Sequence, residues 1–96
     1  MTDNPFEKVL DRLREKGWTQ ENPFHRDGPN CVLIAGNRVG VGKELTQGLY
    51  PLLWSEYGFT SVSEFNDHPD TTFADVERVL EKAAVKWEEE RVMRDV

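Results

Sequence analysis

What this chain has little of narrows its chemistry before any pattern is read. A single cysteine, Cys31, leaves no partner for an intramolecular disulfide. The N-terminus has no basic segment followed by an apolar run, so a cytoplasmic protein is expected. No apolar run comes near the roughly 18 residues of a membrane span. Cations are outnumbered as well: 12 Lys and Arg against 18 Asp and Glu give a formal net charge of −6 and a pI near 4.8. Such a surface repels a phosphate backbone, which argues against direct nucleic-acid binding. At 96 residues there is length for one core and not two, so residues 1–96 are expected to form a single domain.

What is present is enough to fold. Hydrophobic residues make up 38% of the chain and charged residues 31%, a balance that argues against wholesale disorder. Asn4, Pro5 and Glu7 combine a cap, a proline at the first helical position and an acidic first turn. Phe6, Val9, Leu10 and Leu13 then share one face of a helix that Gly17 ends. Trp18 follows the stop and is expected to fold back onto that face. Thr19 to Asn30, with Pro23, Gly28 and Pro29, reads as a loop.

Cys31 to Ala35 is a short apolar run that suits a buried strand or a buried helix, its β-branched content favouring strand. Gly36, Gly40 and Gly42 make the following segment flexible. The next helix is predicted from about Leu49 to Tyr57, with Pro51 in its first turn. Ser61 and Glu64 have capping-box spacing and open a short helix through Val62 and Phe65.

The clearest helix begins at Thr72, which with Asp75 forms a second capping-box pattern. Val76, Val79, Leu80, Ala83 and Trp87 fall within one arc about 100° wide. Upstream, Asn66 to Asp70 reads as a turn, because Pro69 disfavours a helical His68 and the aspartates can bond nearby backbone amides. Beyond Trp87 the apolar stripe stops, so the C-terminal helix, about residues 72–92, is expected to project from the core. On its other face Val85, Val92 and Val96 lie within about 40° of arc. They form a candidate partner-binding stripe and a possible homodimer contact; the plainer alternative is three isolated surface valines.

Sharper chemistries fare less well. The segment from Val32 to Leu45 looks like strand, glycine loop, lysine and helix, but a P-loop needs four residues between its glycines and a hydroxyl after the lysine. Here five residues separate Gly36 from Gly42, and Glu44 stands where the hydroxyl belongs. His25, His68 and Cys31 lack the local pattern of a cysteine hydrolase, and one cysteine with two dispersed histidines does not make a zinc site. No cofactor and no metal are therefore expected. Asp67, His68 and Asp70 suit acid–base chemistry on paper, yet before a helix they are more simply a turn. From Glu64 to Lys82, six carboxylates against Arg78 and Lys82 suggest an acidic imitation of DNA. The plainer reading is a solvated face with pairs such as Arg78–Glu81 and Glu81–Lys82.

These residues also carry a resemblance. Gly17-Trp18 with Gln20, Cys31 with Ala35, and above all Phe65-Asn66-Asp67, Pro69, Thr72, Asp75-Val76, Val79-Leu80 and Ala83 resemble a small domain-of-unknown-function family of actinobacteria and their phages. The likeness covers most of Gly17 to Ala84. Where that family has Cys-Leu-x-Gly-Ala, glycine here follows alanine as Gly36. The resemblance implies that the Cys31 segment is a buried helix, and it brings no established activity. It marks Asn66, Asp67, Thr72 and Asp75 as positions whose role is to fasten the turn to the last helix.

Together these readings predict a compact all-α bundle of four or five helices. The function expected is that of a non-enzymatic accessory protein, phage-encoded or actinobacterial, that binds a host protein. The alternatives are a small enzyme using the Asn66–Asp70 turn with a histidine, and an acidic DNA mimic.

Overall fold

Each helix of this chain begins where the sequence supplies either a cap or a leucine stripe strong enough to do without one. The computed structural model describes residues 3–20 and 29–94. Among them lie five helices: α1 (Pro5–Lys16), α2 (Val32–Arg38), α3 (Gly42–Tyr57), α4 (Val62–Asp67) and α5 (Phe73–Arg94). The architecture is the all-α bundle expected. Its radius of gyration, 12.9 Å, is that of a compact domain, for which a chain of this length takes roughly 13 Å.

The terminal helices set the frame. The Asn4 side chain caps α1 by accepting from the Phe6 and Glu7 amides at 3.0 and 3.4 Å. Its amide nitrogen donates to the Ala84 carbonyl at 2.9 Å, so one residue both starts α1 and ties it to α5. At the other end of α1, Arg14 pairs with Glu77 and Glu81. The two helices therefore run antiparallel. At the start of α5, the Thr72 amide donates to Asp75 Oδ2 at 2.9 Å and the Asp75 amide to Thr72 Oγ1 at 3.3 Å. This is the reciprocal capping box. Val9, Leu13, Val76, Val79 and Leu80 are all at most 1% exposed between these helices and the rest of the core.

Two segments depart from expectation. The β-branched Cys31 run does not form a strand; among the described residues the sole β-pairing is an isolated bridge between Trp18 and Asn30. Instead Cys31 caps α2, its Sγ accepting from the Ile34 amide at 3.5 Å. A buried strand with no partner strand would leave its amides unsatisfied, whereas a helix satisfies them within itself. The helix implied by the resemblance is the one that forms. Gly36 lets this helix lie close against α3, since a Cβ there would meet the Leu45 side chain.

α3 starts seven residues earlier than Leu49, at Gly42, and Pro51 lies inside it rather than in its first turn. The reason is tertiary. Leu45, Leu49 and Leu53 fall on one face and are fully buried, each contributing roughly 1.5–3 kcal/mol. Together they outweigh the roughly 1 kcal/mol of an interior glycine and the roughly 3 kcal/mol of an interior proline. Gly48 is there for contact, because a Cβ would run into the Phe6 ring of α1. Gly58, at φ 74°, ends the helix in the left-handed conformation that glycine adopts without strain.

Candidate functional site

The turn before α5 begins later than its sequence suggests: Asn66 and Asp67 form the last residues of α4, and the chain reverses over His68 to Thr71. Asn66 is 1% exposed and its amide is at full capacity. The oxygen accepts from Trp18 Nε1 at 2.8 Å and from the Val32 amide at 3.0 Å. The nitrogen donates to the Thr19 carbonyl at 3.2 Å and to Asp67 Oδ1 at 2.9 Å. One side chain thus locks the segment after α1, the first turn of α2 and the end of α4 together. The Val32 amide is one of the orphan donors of a helix N-terminus, and Asn66 supplies its partner.

The surroundings repeat the pattern. Gln20 donates to the His68 carbonyl at 2.5 Å and to the Thr71 carbonyl at 3.4 Å. His68 Nδ1 accepts from the Asp70 amide at 3.1 Å, and the ring sits edge-on to Phe59. Trp18, half-buried, packs against the core, but the ring it stacks on, at 6.2 Å, is Phe73 of α5 and not one on the α1 face expected from the sequence. The Thr72 amide holds the Asp75 carboxyl below its ordinary range, helped by the Thr72 hydroxyl and by Arg78. Asn66 therefore joins separate segments, whereas Thr72 and Asp75 act locally, capping the start of α5.

A cavity of about 260 Å³ lies beside this clamp, lined by residues that include Cys31, Ser63, Asn66 and Asp67. His68 is not among its lining residues, and His25 falls outside the described residues. Cys31 is buried and its sulfur is occupied in capping α2. Among the described residues no group of three or more His, Cys, Asp and Glu is placed to hold a metal ion, and no helix is long and apolar enough to cross a membrane.

Four of the acidic side chains of this stretch engage different neighbours. Glu77 and Glu81 turn toward Arg14 of α1, at 2.9 and 3.2 Å. Asp75 pairs with Arg78, and Glu64 reaches back to Thr60. The pairs Arg78–Glu81 and Glu81–Lys82 do not form: Lys82 meets Glu56 of α3 at 3.4 Å. Helix packing brings oppositely charged side chains of α1 and α3 closer than the intrahelical neighbours.

Of the candidate valine stripe on α5, Val85 is 59% and Val92 62% exposed; Val96 falls outside the described residues. The end of α5 is tied back to the N-terminal segment, where Arg91 pairs with Asp3 at 3.1 Å and lies over the Trp87 ring.

A second exposed stripe was not anticipated. On the outer face of α3, Tyr50, Trp54 and Tyr57 are 47, 58 and 37% exposed. They recur at i, i+4 and i+7, which places them within about 60° of arc, and Lys43 and Gln47 continue the same face. No carboxylate lies on it. The spacing was visible in the sequence, but the leucines of the same segment dominated the pattern and the glycines obscured the length of the helix. Tyr57 also leans on Phe65 at 6.2 Å, which anchors that end of the stripe.

No curated protein and no solved structure matches the chain. A family model does, over residues 3–86, a span that takes in the Asn66 clamp, the α3 aromatic face and Val85. The chain belongs to the family of unknown function DUF6197.

Proposed function

We propose that this chain is a non-enzymatic accessory protein, phage-encoded or actinobacterial, that works in the cytoplasm by binding a host protein. The observation that carries this reading is the α3 face: three aromatic side chains stand in solvent side by side on a rigid helix. Tyr and Trp are the side chains most enriched at protein interfaces, because they offer large contact area with few rotors to immobilise. The actinobacterial and phage setting rests on the resemblance of the Phe65 to Ala83 segment. The Val85 and Val92 face of α5 is a secondary surface, and Val92 lies beyond the segment matched by the family.

The enzymatic alternative draws no support from the turn, whose Asn66 amide is fully engaged. DNA mimicry draws none from carboxylates that face different neighbours.

The test is a photo-crosslinking residue placed at position 54 in the full chain, exposed to host lysate, with the crosslinked protein identified, purified and titrated. A defined partner whose affinity falls at least about 30-fold for Tyr50→Ala/Trp54→Ala supports the reading. Crosslinking to no particular protein, or to a second copy of the chain alone, sinks it.

A further inference from the structure

The antiparallel pair α1 and α5 leaves an open V lined by no residue of α3. Glu7, Leu10, Asp11 and Arg14 of α1 line one wall at the i, i+3, i+4, i+7 spacing. Glu81, Ala84, Val85 and Glu88 of α5 line the other at the same spacing. Two full turns of each helix thus face an open cavity of about 680 Å³. Its apolar lining is Leu10 and Ala84, only 5 and 6% exposed, and Val85, which is 59% exposed.

The rim decides the occupant. With Glu89, five carboxylates border the cavity against the single guanidinium of Arg14, a local net of four negative charges. Arg14 is itself committed to Glu77 and Glu81 at one end. A second copy of a chain of net charge −6 would bring like charge to this rim, and a nucleic acid or an anionic membrane would do the same. Walls two turns long, about 10 Å at roughly 1.5 Å per residue, match two turns of a third helix laid between them.

We propose that the V between α1 and α5 is a seat for a lysine- and arginine-rich amphipathic helix of a partner protein. Small or medium apolar side chains of that helix, one turn apart, rest on Val85 and on the edges of Leu10 and Ala84 beneath it. Its flanking cations face Asp11, Glu88 and Glu89. This surface is separate from the aromatic face of α3, so either reading can fail without the other.

The probe is a synthetic helical peptide of about 18 residues, with leucines at the heptad-like positions and lysines elsewhere, titrated into the full chain with amide chemical shifts recorded. A scrambled peptide of identical composition and a glutamate-for-lysine version are the controls. The patterned peptide is expected to bind at least about tenfold tighter than the scrambled one, with shifts centred on Leu10, Ala84 and Val85. Val85→Asn, which leaves the charge unchanged, should weaken it several-fold, and Glu88→Lys/Glu89→Lys about tenfold; a thermal melt of each variant confirms folding. Equal binding of the scrambled peptide would mean bulk charge attraction and overturns the proposal. So would shifts centred elsewhere, self-association through this face, or tighter binding of the glutamate peptide, duplex DNA or anionic vesicles.

Discussion

The surroundings of Asn66 and the outer face of α3 use their side chains in opposite ways. At Asn66 every hydrogen-bonding position of a buried amide is occupied, by groups from three separate segments. On α3 three aromatic rings stand 37 to 58% exposed, with little to pack against beyond Phe65. The first region is complete within the chain; the second is not. Residues that look most distinctive in a sequence can therefore be those most committed to the fold. The exposed aromatic face lies where the sequence looks ordinary.

The sharpest way to test this contrast is Asn66→Ala. It removes the partner of the buried Val32 amide and of the half-buried Trp18 indole N–H, and an unsatisfied buried donor costs about 1–3 kcal/mol. A loss of roughly 3–5 kcal/mol in urea unfolding is expected, a large share of a small domain's stability. Asn66→Asp keeps the acceptor but loses the donors and faces Asp67, so it should fall between wild type and alanine. An alanine variant within about 0.5 kcal/mol of wild type would refute the clamp.

Next in size is Gly48→Ala. By helix propensity alone it should stabilise α3 by about 1 kcal/mol. Because the new methyl enters the space of the Phe6 ring, which is 3% exposed and enclosed by core, a net loss of about 1–2 kcal/mol is expected. Phe6→Leu should recover part of that loss in a double-mutant cycle. Additive effects of the two substitutions would show that the close contact of α1 with α3 is not what glycine serves.

The same contrast explains what could be read from the sequence. Local signals were legible: Asn4 as a cap, Thr72 with Asp75 as a capping box, and the stripe from Val76 to Ala83, because each acts on neighbours within one or two turns. The full length of α3 was not, since Gly48 and Pro51 weaken a helix locally and only contact with Phe6 and burial of Leu45, Leu49 and Leu53 reverses the balance. Asn66 was recognisable as a position through its resemblance, but its partners Trp18 and Val32 lie 48 and 34 residues away. No spacing rule reaches that far. The reassignment of Glu81 from Lys82 to Arg14 has the same origin, as does the turn starting at His68 instead of Asn66.

A smaller effect belongs to Asp75. Its carboxyl is held below its ordinary value of 3.8, first by the Thr72 amide. A depressed folded-state pKa contributes stability that is fully present above the unfolded value and lost as pH falls through the folded one. Wild type should therefore lose stability below about pH 4 more steeply than Asp75→Ala. At neutral pH that variant should be weaker by about 1 kcal/mol, the usual contribution of a helix cap. Parallel curves for the two proteins below pH 4 would show that the cap acts by shape and not through the charge.

The smallest effect on stability should come from the residues with the largest expected effect on binding. Tyr50 and Trp54 stand about half exposed on the outer face of α3, and surface substitutions away from caps and cores usually fall within about 0.5 kcal/mol of wild type. Tyr50→Ala and Trp54→Ala should therefore leave the urea midpoint almost unchanged. Tyr57→Ala is a useful contrast, because its ring leans on Phe65 and some packing goes with it. A loss above about 1 kcal/mol for Trp54→Ala would mean that the indole supports the fold from outside, and the division between a completed clamp and an open face would collapse. Unchanged stability combined with lost partner affinity is the one pairing of results that assigns the aromatic face to binding rather than to folding.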